Sequence, residues 1–199
     1  MSISRRGYLA LALACFGLAL ALLVGAWRAH AGEGARSSLL ERLVGPFAGL
    51  VASAQWVRAD VALRAGRFEV FCERAETALA LSPADARGWT FYAHQLIFQR
   101  SSPLREPSAA ARESWARAGL AILARGEREC AEPAEICIDE GLVYAGWAGI
   151  PAEARPIPGT EREFLALALE AFGRARALGN SLAPSLEQSL REQLARTGR

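Results

Sequence analysis

Residues 52–85, ASAQWVRADVALRAGRFEVFCERAETALALSPAD, decide the fold class. In their second half Phe68, Phe71, Cys72, Ala75, Ala78, Leu79 and Leu81 recur at the spacing of one apolar helical face. Gly66 stops the helix before them, and Ser82-Pro83 closes the helix they build. The stretch therefore reads as two helices joined by a tight turn, with Cys72 expected in the core. Ala, Leu, Arg and Glu, all strong helix formers, dominate the rest of the chain, and β-branched residues are sparse after position 61. An all-α fold follows from the summed propensity.

Working towards the N-terminus, a helix from about Phe47 to Ala65 is expected behind a break or kink at Gly45-Pro46. Before that break, Ser38 and Glu41 have the S-x-x-E spacing of a capping box ahead of Leu39-Leu40 and Leu43-Val44. Towards the C-terminus, Asp85 is placed as the N-cap of a helix whose Trp89, Tyr92, Ala93, Leu96 and Ile97 form a helical stripe. Residues 101–107, SSPLREP, end it. Ser108 caps the next helix, which carries Ala111, Trp115, Ala118, Ile122 and Leu123 inward and is expected to stop at Gly126, after about Arg125. An acidic irregular stretch leads to a helix over Pro133–Trp147 that carries Ile136, Cys137, Leu142, Val143 and Tyr144. A proline-rich loop at 149–159 precedes a second capping box, Thr160 with Glu163, and a helix to about Leu178 that Gly179-Asn180 ends. Ser185 with Gln188 opens the last helix, 185–196, where Leu186, Leu190 and Leu194 make a narrow stripe suited to capping a stack.

The apolar share, 52% of 199 residues, is enough to bury a core and excludes a disordered or disulfide-dense chain. All 23 basic residues are arginines, a bias of GC-rich bacterial coding to which no function is attached. Beyond Ala31 the net charge is −1, which leaves no electrostatic footprint for nucleic acid.

From Tyr8 to Trp27 run 20 residues without a charge, about 30 Å of helix, the thickness of a bilayer's hydrocarbon core. Tyr8 and Trp27 sit where aromatic side chains meet headgroups, and Arg5 and Arg6 lie just outside. The segment reads as a single transmembrane anchor after a short arm, residues 1–7, with 28–37 as a flexible tether and 38–199 as the helical domain. The short arm is placed in the cytoplasm, so the domain is expected on the periplasmic side of a bacterial inner membrane. Ala29-His30-Ala31 is also a signal-peptidase pattern, and cleavage there would release a soluble periplasmic subunit beginning at Gly32. Ser4-Arg5-Arg6 followed by Tyr8-Leu9 is similar to a twin-arginine export signal, which sends the domain the same way. Cys15 is a membrane-embedded hydrophobe, because the apolar run continues past it.

The 34-residue unit at 52–85 resembles a tetratricopeptide repeat, through Ala59, Gly66-Arg67-Phe68 at the turn, Ala78 and Pro83. Trp56, Arg58 and the order of Phe71 and Ala75 depart from the pattern. Trp89, Tyr92, Ala93 and Leu96 match the first helix of a following unit, and Ala168, Phe172 and Ala175 match the second helix of a third. The resemblance implies a short stack of helical hairpins with a C-terminal capping helix; the other reading of the same stripes is a plain helical bundle. It further implies a scaffold that binds a peptide or partner protein on a concave face. Carried over by position, that face comprises Asp60, Arg64, Arg87, Thr90, His94 and Phe98.

Chemistry is sparse by comparison. The two histidines, His30 and His94, have no partner at triad or metal spacing, and no phosphate-binding glycine loop or calcium loop occurs. No cofactor, metal or catalytic residue is expected, an enzyme with a dispersed site being the rival reading. Cys130 and Cys137 enclose a short segment, and in an oxidising compartment they are candidates for a disulfide, with two buried thiols as the alternative.

Overall fold

The computed structural model describes residues 45–197. The expected anchor with Arg5, Arg6, Tyr8 and Trp27, the tether and the Ser38–Glu41 capping box lie outside them. Among the described residues there are seven α-helices and no strand, so the fold is all-α. None of these helices is long and apolar enough to cross a membrane. The chain divides into two compact units, one ending at Ser82 and the other beginning at Pro83.

In the first unit a 3-10 turn at Gly45–Phe47 leads into α1, Ala48–Arg64, followed by α2, Phe68–Leu81. Gly45 takes a φ of 54° and Gly66 a φ of 71°, left-handed values that glycine adopts without a Cβ penalty, so the turn expected at Gly66 occurs where glycine permits it. At that turn the Gly66 amide donates to the Leu63 carbonyl at 3.0 Å and the Arg67 amide to the Ala62 carbonyl at 2.9 Å, which satisfies carbonyls the helix end leaves open. The two helices pack along each other. Their buried positions are small on α1 (Ala48, Ala52, Ala59, Ala62) and mixed on α2, where Phe71, Ala75 and Ala78 are fully enclosed. Small residues let the axes approach and the ring fills what remains. Cys72 is half-buried rather than a core residue.

The second unit comprises α3, Ala86–His94, continued without a break as a π-helix over Gln95–Arg100; α4, Ala109–Glu129; α5, Ala134–Ala148; α6, Glu161–Ala177; and α7, Ala183–Thr197. Helix α3 with its π segment packs on α4, both touch α5, α5 pairs with α6, and α7 covers α6. Trp89 anchors the first hairpin: it is buried, its Nε1 donates to the Pro83 carbonyl at 2.9 Å, and the Arg125 guanidinium lies 4.7 Å from its ring centre.

Several boundaries differ from the sequence expectation, each for a packing reason. Helix α4 runs to Glu129 through Gly126, which is buried against Trp89: a Cβ there would lie 2.7 Å from Trp89 Cγ. The glycine therefore serves close approach and does not stop the helix. The buried stripe of α4 is Ala116, Gly119, Leu123 and Gly126, whereas Ala111, Trp115, Ala118 and Ile122 are only half-buried. Asp85 occupies the N-cap position of α3 but makes no side-chain cap bond. Ser108 does cap α4, accepting from the Ala111 amide at 3.3 Å. Helix α7 starts two residues before Ser185, so the Ser185–Gln188 box does not form; Ser185 donates to the Leu182 carbonyl and Gln188 to Glu192. The inner face of α7 also buries Glu187, held by Arg191 at 2.7 Å and Arg176 at 3.2 Å.

Candidate functional site

Inward packing of Trp89, Tyr92, Ala93, Leu96 and Ile97 fixes how α3 is turned, and so which side chains it leaves outside. Arg87, Phe91 and Phe98 are exposed and Thr90 and His94 half-buried. Directly after His94 the helix widens into its π turn, closed by the Ser101 amide donating to the Leu96 carbonyl at 3.1 Å, while the Ser101 hydroxyl donates to the Ile97 carbonyl. A π turn holds one more residue than an α turn, and such turns are found disproportionately at functional sites. Here it lets Leu96 and Ile97 both face inward while Phe98 stays out, 49% exposed.

The structure brings Thr90, His94 and Phe98 together and adds Asp139 from α5. The His94 Nε2 lies 3.7 Å from an Asp139 carboxylate oxygen, and the imidazole meets the Phe98 ring edge-on with centroids 5.3 Å apart. Burial pushes the Asp139 carboxyl above its usual range, opposed by His94 and by the neighbouring Thr90 hydroxyl. That hydroxyl donates to the Arg87 carbonyl at 3.2 Å. The contacts of the imidazole are thus the Asp139 carboxylate on one side and the Phe98 ring on the other. Among the described residues no three His, Cys, Asp or Glu side chains come together as metal ligands.

Beyond Phe98 the surface dips into a shallow groove of about 300 Å³, lined by Ile97, Phe98 and Ser101 on one side and Gly146, Trp147 and Ile150 on the other. Leu142, 48% exposed, lies one turn along α5 from Asp139. The 149–159 loop contributes Ala154 and Pro156 to the groove wall, and Arg155 holds that loop in place. Its guanidinium donates to the carbonyls of Trp147 at 2.9 Å, Ile150 at 3.0 Å and Gly159 at 2.6 Å. At the loop's far end the Thr160–Glu163 capping box forms in full, with the Thr160 amide donating to Glu163 at 2.7 Å.

A second polar cluster is structural. Arg174 of α6 bonds Glu127 of α4 at 2.9 Å and Glu140 of α5, with Glu170 at 3.5 Å, and so ties three helices together. Cys137 is buried beside it, and burial and the Glu127 carboxylate push the thiol up to about 12. Of the two readings of Cys130 and Cys137, the structure has the second, two free buried thiols rather than a disulfide. Cys130, at the C-cap of α4, donates to the Ala84 carbonyl at 3.3 Å, whereas Cys137 faces the Glu127 and Arg174 cluster.

The six residues expected to share one face fall in both units. Asp60 and Arg64, on α1, pair with each other at 2.8 Å as neighbours one helical turn apart. Arg87, Thr90, His94 and Phe98 share the outer side of α3 and its π extension. Asp139, Leu142, Trp147 and Ile150 were not legible as members of this face, because nothing local ties α5 to α3. No family model, no curated protein and no solved structure matches this chain.

Proposed function

We propose that this protein is a membrane-tethered, non-catalytic scaffold of tetratricopeptide-like hairpins whose first-helix face receives a segment of a partner protein. The observation that carries the reading is the apolar groove on the second unit, where exposed Phe98 of the π segment, next to half-buried His94, stands beside Trp147 of α5 and Ile150 just after it. The order of packing supports it: α3 with α4, α5 with α6, and α7 as a cover, with α3 and α5 as the first helices of successive hairpins. A shallow apolar depression with few polar groups suits a peptide or helix more than a small metabolite, which needs deep enclosure. Tyr8–Trp27 would supply the anchor, holding the domain on the periplasmic side.

The test is purification of the full chain, tagged at its C-terminus, from membranes in mild detergent, with mass spectrometry of its N-terminus and of what co-purifies. A partner at fixed stoichiometry that is lost from Phe98→Ala supports the scaffold. A partner retained by that variant, or none at all, refutes it. An N-terminus at Gly32 would replace the anchored form with a released periplasmic subunit.

A further inference from the structure

Resting on the reading of this face as a partner-binding surface, we propose that the partner segment carries a basic residue beside a large apolar one. The cation docks on Asp139 and the apolar side chain enters the groove next to Phe98.

The argument starts from how this unit treats its other inward carboxylates. Glu127 and Glu140 share the Arg174 guanidinium, and Glu187 sits between Arg176 and Arg191. Each has at least one guanidinium within ion-pair distance, a permanent cation of the kind that compensates a partly desolvated carboxylate. Asp139 is different. No guanidinium of the described residues pairs with it; it is faced by His94, at a distance beyond a hydrogen bond, by the neutral Thr90 hydroxyl and by the like-charged Glu135. Burial opposes its charge as it does that of Glu140, but Asp139 lacks the guanidinium that Glu140 has. An incoming guanidinium or ammonium relieves that deficit.

Geometry sets what accompanies the cation. His94 links Asp139 to Phe98, Phe98 opens onto the groove, and Leu142 extends the apolar surface along α5. The acidic spot thus stands one side chain away from Phe98, which lines the groove together with Trp147 and Ile150. Asp139 and Gly146 are separated by seven residues of α5, about 10 Å of helix. A long basic side chain spans much of that distance, so a cation and an apolar residue one or two helical turns apart on the partner reach both ends.

A library of displayed 12-residue peptides, panned against the full chain in lipid nanodiscs with empty nanodiscs as counter-selection, reads this directly. Enriched sequences are expected to pair Arg or Lys with Leu, Phe or Trp within two helical turns. Affinity of a synthetic winner, measured by fluorescence polarisation, should fall about tenfold or more in Asp139→Asn, equivalent to about 1.4 kcal/mol, and be largely kept in Asp139→Glu. Phe98→Ala should weaken the same peptide. Circular dichroism melts confirm that the variants fold. Enrichment of purely apolar peptides that need Phe98 but bind Asp139→Asn undiminished would overturn this inference and leave the scaffold reading standing. No enrichment over empty nanodiscs would overturn both.

Discussion

Gly141 and Gly173 lie in the interiors of α5 and α6, and replacing each with alanine should move stability in opposite directions. Alanine in a helix interior is favoured over glycine by about 1 kcal/mol, partly because the unfolded chain has less freedom to lose. At Gly173 a Cβ would meet nothing within 4 Å, so that gain is realised and Gly173→Ala should stabilise by roughly 0.5–1 kcal/mol. At Gly141 the same Cβ would lie 2.4, 2.6 and 2.9 Å from three carbons of the Phe172 ring. Ordinary contact needs about 3.5–4 Å, so the ring must retreat by about 1 Å. Phe172 is fully enclosed, so its ring cannot swing out to solvent. Overpacking of this kind costs roughly 1–3 kcal/mol, and it is strain on a rigid ring rather than on the end of a flexible chain, so Gly141→Ala should be destabilising by roughly 1–2 kcal/mol net. Both sites belong to the second unit, so the comparison holds even when the two units unfold separately. Thermal and urea denaturation of the full chain in detergent, followed by circular dichroism, should show Tm rising by a few degrees in Gly173→Ala and falling in Gly141→Ala. Equal stabilisation by both would show that α5 and α6 are not packed as described.

Other expectations follow from single contacts. Thr160→Ala removes the capping-box acceptor and should cost about 1 kcal/mol, read as a lower urea midpoint. The bonds at Thr160 hold Glu163 below the usual carboxylate range, so their contribution is present above the ordinary glutamate pKa and is lost as pH falls through the lowered one, a shift that NMR titration of Glu163 would show. Arg155→Lys should loosen the 149–159 loop, since an ammonium cannot reach the Trp147, Ile150 and Gly159 carbonyls together; about 1–3 kcal/mol is lost and limited proteolysis there accelerates. Iodoacetamide at pH 8 should label half-buried Cys72 well before Cys137, and both Cys130 and Cys137 should react once the chain is denatured without reductant. Cys137 titrates near 12 rather than 9 in the fold, so its stabilising contribution is complete below about pH 9 and fades as pH rises towards 12.

Much of the local structure was written in local signals. The turn at Gly66, the span of α2, the Ser108 cap and the Thr160–Glu163 box each depend on residues within a few positions of one another, and each forms where the sequence places it. Signals of the same kind misled where a distant ring or charge decided the outcome. Gly126 has the composition of a helix stop but faces Trp89, and Ser185 has the spacing of a cap but lies inside α7. The pairing of two cysteines seven positions apart was plausible by spacing alone, yet each thiol is drawn to a different neighbour.

What the sequence determined by itself, then, is helical class, most helix boundaries and the inward stripe of Trp89, Tyr92, Ala93, Leu96 and Ile97, because period and capping are properties of contiguous residues. Only tertiary structure decided that Asp139 stands against His94, that Phe98 opens onto a groove shared with Trp147 and Ile150, and that Arg174 gathers Glu127 and Glu140. Those contacts join residues some 30 to 50 positions apart in sequence, and their register is set by how the helices pack face to face rather than by any local propensity.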